Sequence, residues 1–510
     1  MLDSISTSSV VMLITIILYL IMMIIIGFKF SKTNNTVDDF YLGGRKLGPF
    51  VTAMSAEASD MSSWLLMGLP GVAYLSGVCD AFWTAVGLAI GTWLNWLIVS
   101  KRIRRYSHKI GAITIPDFFS KRYKDEQNIL TCVSAFVIII FFIPYTASGF
   151  AACGKLFHSL FGVDYHVAMI VCAVIIVAYT TLGGFLAAST TDLIQSIVMT
   201  IALVVVLGYG TMQAGGMDAV MENARSLAGY LSLSATHDVE HAVAKPYGII
   251  TIISTLAWGL GYFGMPHILL RFMATEDEKK LTLSRRIATV WVVISMGISI
   301  VIGMVGLGMS KAGVIDTLKG SESETIIVKI SDLLSSHGIF AALIAGVILA
   351  GILAATMSTS DSQLLAASSS VSQNIITDFL KKKMSQKQSV IVARATVIMI
   401  SLISILLAWD QNSSVFQIVS FAWAGFGAAF GPVMLLALFW KRSNRYGALA
   451  GMVTGGAMVF VWKYLIRPMG GMFDIYELLP AFVLALLVNV CISLLTAEPS
   501  NEVVEEFESI

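Results

Sequence analysis

Charge is scarce in this sequence of 510 residues: only 13% are Asp, Glu, Lys or Arg, against roughly a quarter in soluble domains. That deficit leaves little room for a soluble domain. Cysteine is also sparse. Cys79, Cys132, Cys153, Cys172 and Cys491 are scattered and mostly inside apolar runs. They show no metal or redox spacing and read as small buried side chains. The seven histidines have no metal spacing either. No Gly-Lys-Ser/Thr phosphate loop is present, which disfavours an ATP-driven pump. No catalytic constellation stands out, so an enzyme is not expected. The net charge of +1 gives no basic excess to attract nucleic acid.

What is abundant is apolar surface. Hydrophobic residues make up 56% of the chain, and mean hydropathy is +0.81. The chain therefore reads as a polytopic, all-α membrane protein in one domain. Spans of about 20 residues fit about thirteen times: near 9–28, 50–76, 80–100, 128–152, 165–184, 188–210, 247–271, 286–310, 337–364, 389–408, 414–440, 446–463 and 476–496. The first run lacks a basic flank before it and is too long for a signal-peptide core, so it is expected to be retained. Alternate loops hold 25 of the 33 lysines and arginines, among them Lys32, Arg45, Arg102, Arg104, Arg122, Arg271, Lys381 and Lys441. Positive loops stay cytoplasmic. The N-terminus is then outside and the acidic tail, 497–510, is cytoplasmic. The outside connection 213–247 has room for a short surface helix.

Two spans are spoiled. The stretch 50–76 is interrupted by Ala58-Ser59-Asp60-Met61-Ser62-Ser63 and again by Met67-Gly68-Leu69-Pro70-Gly71. The stretch 247–271 is interrupted by Trp258-Gly259-Leu260-Gly261-Tyr262-Phe263-Gly264-Met265-Pro266. Helices in lipid satisfy their own backbone, so mid-span breaks need a compensating reason. In secondary transporters the reason is a binding site, where unwound backbone faces ions and substrate. Spans two to six and seven to eleven form two five-helix units, here 47–210 and 247–440. An odd unit length inverts the second unit relative to the first, and each broken span opens its unit. The helix at 9–28 and the pair at 446–496 are extras.

The residues at the breaks suggest their chemistry. Ala355, Ser358, Thr359 and Ser362 share a face by helical spacing. Small residues there admit a neighbouring helix, and hydroxyls either point into the gap or bond back to their own helix. Oxygen ligands of this kind suit a hard monovalent cation. Asp60 and Glu57 are ionisable groups in an apolar stretch, which marks function by default. For Asp60 a direct and a supporting role both fit; Glu57 is equally readable as an inner-end residue reaching a polar cavity. Asp192 follows Gly183-Gly184 and fits either an ion path or a helix N-terminal carboxylate. Trp258, Tyr262 and Pro266 recur every four residues, a face that suits either a small ring or an ordinary core aromatic stripe; Tyr145, after Pro144, could face the same cavity. No buried arginine is expected at this centre, which disfavours a strongly anionic solute and leaves a zwitterion or neutral solute.

At these residues the chain resembles the sodium:solute symporter family, in its bacterial proline-carrying branch. The resemblance lies in Phe40-Tyr41-Leu42-Gly43-Gly44-Arg45, Ala58 to Ser62, Trp64 to Gly71, Trp258 to His267, Ala354 to Thr359 and Ala422 to Pro432. It implies a LeuT-type 5+5 inverted repeat in the cell membrane, and sodium-coupled symport of L-proline. It implies sodium at the carbonyls of Ala58, Met61 and Ala355 and the hydroxyls of Ser358 and Thr359. It assigns Asp60 and Asp192 to coupling. It places proline near Ser62, Ser63, Gly68, Tyr145, Trp258, Tyr262 and Pro266. Ser63 stands where these carriers have Gly, and Glu57 where they have a small residue. The same residues leave open another small solute (an amino acid, sugar or monocarboxylate). A solute sensor is disfavoured by the short segment after Thr496.

Overall fold

The computed structural model describes residues 6–31, 41–239 and 241–510; Lys32 and Phe40, used above, lie outside them. Almost every element is helical. A small hairpin pairs Ala235–Asp238 antiparallel with Val243–Pro246, Ala235 opposite Pro246. It follows the helix Met217–Ser226, so the 213–247 connection does carry a short helix.

Among the described residues, ten helices are long and apolar enough to cross a membrane. The number is eleven if Ile249–Phe263 and Pro266–Ala274, bent by 44°, form one span. Two of the expected thirteen do not qualify on length and composition: the divided stretch 50–76, and Tyr165–Ala178. The latter belongs to Tyr165–Gln213, which turns at Gly184 with φ 72°. A residue without Cβ adopts that angle at little cost.

Helix Ile339–Ser369 occupies the centre and is buried along most of its length. It packs against Thr7–Ser31, Pro49–Ser63, Ile129–Phe161 and Tyr165–Gln213. The peripheral helices instead expose apolar side chains, such as Leu18 and Ile25 on Thr7–Ser31 and Met399 and Leu406 on Gln386–Leu407. Lipid, not water, is the solvent such faces require.

The first break is narrow. Helix Pro49–Ser63 runs through Ala58 to Met61 and fails only at Ser62, with φ 48° and ψ −169°. The serine's Oγ accepts the Trp64 N–H at 3.1 Å, taking up a donor freed by the turn. The second interruption expected in this span, Met67 to Gly71, is not a break. Trp64–Gly68 widens into a π turn, in which Leu69 N–H donates to the Trp64 carbonyl. The helix Leu69–Ser76 continues directly, with Pro70 in its first turn, where a missing N–H costs nothing.

The other broken span is interrupted differently. Helix Ile249–Leu256 tightens into a 3₁₀ stretch, Ala257–Phe263, and resumes only at Pro266–Ala274. Here glycines let elements touch. A Cβ on Gly91 would lie 2.3 Å from the Gly259 carbonyl oxygen, and one on Gly261 would lie 1.9 Å from Trp423 Nε1.

Candidate functional site

The first break lies against the central helix. Ser358 Oγ lies 2.8 Å from the Ala58 carbonyl and 3.1 Å from that of Ala355. Thr359 Oγ1 donates to Ala355 at 3.1 Å. Two carbonyls and two hydroxyls, all neutral oxygens, thus converge between two helices. A hard cation suits that donor set, and the hydroxyls would have only to turn their lone pairs inward. Met61 immediately precedes the break. Its carbonyl accepts the Trp64 N–H, and its side chain lines a cavity beside Asp60.

That cavity is enclosed by Asp60, Met61, Trp64, Tyr145, Trp258 and Trp423, with Leu88 and Val419 completing the wall. Tyr262 donates to Asp60 Oδ2 at 2.6 Å, and Tyr145 donates to the Asp60 carbonyl at 2.9 Å. Trp423 Nε1 donates to the Trp258 carbonyl at 2.7 Å and so braces the second break. Trp64 Nε1 is buried with no partner among the described residues, an unused donor on the wall. The free space is about 10 Å³, enough for one water at most. Any larger solute requires these walls to part.

The Phe416 ring packs against two of the wall residues, 5.8 Å from Trp64 and 5.5 Å from Trp258. Beyond it opens a vestibule of about 1080 Å³, reaching Asp80, Glu324, Lys463 and Arg467. Gly68 lies beneath the same ring: a Cβ there would meet Phe416 Cβ at 3.3 Å. Ser63 is buried, has no hydrogen-bond partner among the described residues and does not line the cavity.

Three expectations need correction. Pro266 does not share a face with Trp258 and Tyr262. The 3₁₀ stretch ends before it, and Met265 is extended, so the four-residue spacing does not persist. Pro266 lines a separate small cavity with Tyr41, Ile138 and Arg271. Asp192 is not a first-turn carboxylate: it lies inside Tyr165–Gln213, two turns beyond Gly184. It accepts from Ser55 Oγ at 2.6 Å and pairs with Arg271 at 3.1 Å. Arg271, counted above among loop cations, is in fact 1% exposed. It also donates to Ser55, to the His267 carbonyl and to Ser362. Ser362 in turn donates to the Ser358 carbonyl at 3.0 Å. A buried arginine therefore stands one turn from the oxygen cluster. Its sequence signal was an arginine flanked by Leu269, Leu270, Phe272 and Met273, too apolar a setting for a loop.

Glu57 is buried. Its Oε1 accepts from Trp96 Nε1 at 2.9 Å and Thr92 Oγ1 at 3.1 Å, which ties Pro49–Ser63 to the neighbouring helix segment. Nothing in the sequence marks Trp64, Trp423 and Phe416 for this site, because an aromatic in an apolar run carries no sign of which neighbour it meets.

The profile of the sodium:solute symporter family matches residues 40–455. The chain is 40% identical to the osmoregulated proline transporter OpuE of Bacillus subtilis, over 97% of this chain and 96% of that one. It is 40% identical to a sodium/proline symporter of Salmonella typhimurium, over 97% and 95%. It is 41% identical to the high-affinity proline transporter PutP of Bacillus subtilis, over 95% and 98%. Among solved structures, a Na+-coupled sialic acid symporter superposes with a TM-score of 0.78 at 19% identity, covering 96% of this chain and 99% of that one. A nucleobase-cation-symport-1 family transporter gives 0.54 at 14% identity, over 92% and 98%. The chain belongs to the sodium:solute symporter family.

Proposed function

We propose that this member of the sodium:solute symporter family carries L-proline into the cell with sodium, by alternating access across the cell membrane. One observation carries the reading. The break at Ser62 sets Asp60, held by Tyr145 and Tyr262, beside the oxygen cluster of Ala58, Ala355, Ser358 and Thr359. A solute site and a cation site then share one stretch of backbone. The proline ring packs against Trp64, Trp258 and Trp423, its ammonium faces the Asp60 carboxylate, and Trp64 Nε1 offers a donor to its carboxylate. Ser62 and Gly68 adjoin this site, while Ser63 and Pro266 stand outside its wall, each just past one of the two breaks.

Sodium bound to both helices would favour the form in which they are together. That is a differential affinity between states, which is what shifts an equilibrium. Met61 completes the sodium ligands when its carbonyl is released from Trp64. Each sodium moving inward gains about 2.3 kcal/mol per 100 mV of membrane potential. Asp192 and Arg271 hold the inner side of the cluster, through Ser55 and Ser362. The finer architecture in this reading is a LeuT-type pair of inverted five-helix units, 47–210 and 247–440, within about thirteen spans, with the N-terminus outside.

Uptake of labelled proline into vesicles tests this. Accumulation should require an inward sodium gradient and should collapse when potassium replaces sodium. Uptake indifferent to sodium but driven by a pH gradient would reject the coupling. Uptake of another solute in preference to proline would reject the substrate.

A further inference from the structure

The central helix is not fully covered on its lipid side. Between the first half of Thr7–Ser31, the start of Tyr165–Gln213 and the middle of Ile339–Ser369 runs a groove of about 260 Å³. Every residue lining it is apolar. Its floor is Ile16, Leu353 and Met357, at 1%, 3% and 1% exposed; its rim is Ile17, Val167 and Val171, at 45%, 54% and 53%. Helical spacing puts Leu353 and Met357 on the face of the central helix opposite Ala355, Ser358, Thr359 and Ser362.

The rim adjoins the exposed apolar side chains of Leu18 and Val174, a surface whose solvent is the bilayer. The groove therefore opens into hydrocarbon. It is larger than the ~150 Å³ apolar cavity that stays dry and takes up benzene, and its lining gives a polar solute nothing to bond to. It also follows the helices. Leu13 to Leu20 rise roughly 10 Å and Val167 to Ile176 roughly 14 Å, against roughly 15 Å for half of the hydrocarbon core. A helix from a second copy, about 10 Å across with its side chains, is too bulky to enter.

We infer that this groove is a binding site for one phospholipid acyl chain, held between the first helix and the back of the central helix. The chain gives Leu353 and Met357 the neighbours that the protein leaves out. It thereby braces, from behind, the helix that carries the oxygen cluster. The lining selects hydrocarbon rather than a headgroup. The site stands whichever solute and ion are carried.

The test uses the full-length chain in phosphatidylglycerol vesicles doped with a phospholipid that bears a diazirine near the end of one acyl chain. After illumination, adducts are mapped by mass spectrometry of peptides. Adducts are expected at Leu353 and Met357, although both are buried, as well as at lipid-facing Met399 and Leu406. Ala168→Phe fills the groove and should lower the adducts at Leu353 and Met357 severalfold while those at Met399 and Leu406 stay the same. If that variant does not fold, Val171→Trp on the exposed rim replaces it. Phosphatidylcholine vesicles should give the same pattern, and labelling that follows the headgroup overturns the acyl-chain assignment. An unlabelled floor beside labelled outer faces overturns the site, as does floor labelling that the filled variant leaves unchanged. So does an Ile17→Cys chain that forms a disulfide-linked dimer, which would make this face a contact between copies.

Discussion

The two broken helices are made in opposite ways. At Ser62 a single non-glycine residue takes a positive φ, a conformation that costs of order 1–3 kcal/mol and persists only where its surroundings enforce it. At Ala257–Phe263 the break is spread over seven residues, none of them at positive φ, and glycines admit the neighbours. The first break is strained and short, and it puts carbonyls beside the central helix. The second is relaxed and long, and it delivers aromatic groups to the cavity. In the proposed reading one segment serves a cation and the other an apolar ring, because cations need oxygen ligands and rings need surface.

Arg271, just past the second break, reaches Ser55 ahead of the first, and removing it should break the comparison outright. Arg271→Met strands the buried Asp192 carboxylate and should cost about 3–5 kcal/mol, read as a lower melting temperature in detergent. Adding Asp192→Asn should restore much of that loss. Overpacking the second break comes next. Gly91→Ala drives a methyl into the Gly259 carbonyl and should cost about 1–3 kcal/mol. Proline affinity should fall with it, because Trp258 moves.

Ser358→Ala sharpens the cation side alone. Sodium at 100 times its dissociation constant should stabilise the wild-type chain by about 2.7 kcal/mol. The variant should lose most of that thermal shift while its stability without sodium changes by about 1 kcal/mol. A sodium shift that survives would move the ion away from Ser358. The smallest effect on stability belongs to Ser62→Gly. It relieves the positive φ and should leave the melting temperature level or slightly raised, while uptake falls as the break loses its Oγ contact to Trp64. A large loss of stability would mean that Ser62 is held there by packing rather than against it.

The parts of the site that were legible were those where polar or helix-breaking residues interrupt an apolar run. Asp60 among serines, the glycines around Tyr262 and the hydroxyl face at Ser358 and Thr359 all stood out against lipid-compatible sequence. Their limits were less visible. Pro70 looked like a break and is absorbed by a π turn, because the wider turn needs no donor at that position. Pro266 seemed to continue the Trp258 stripe, but a helical period cannot be carried across an extended residue. Arg271 looked like a loop cation, since its partners Asp192 and Ser55 lie far from it in sequence.

The sequence alone determined that the chain lives in lipid, which two spans are interrupted and which hydroxyl groups share a helix face at Ser358 and Thr359. Each of these follows from local composition and period, which act over a few turns. Only the tertiary structure decided which aromatic packs on Trp64 and Trp258, which carboxylate Arg271 meets and that Glu57 accepts from Trp96 and Thr92. Those are contacts between distant segments, fixed by how helices settle against one another, and no local pattern encodes the partner.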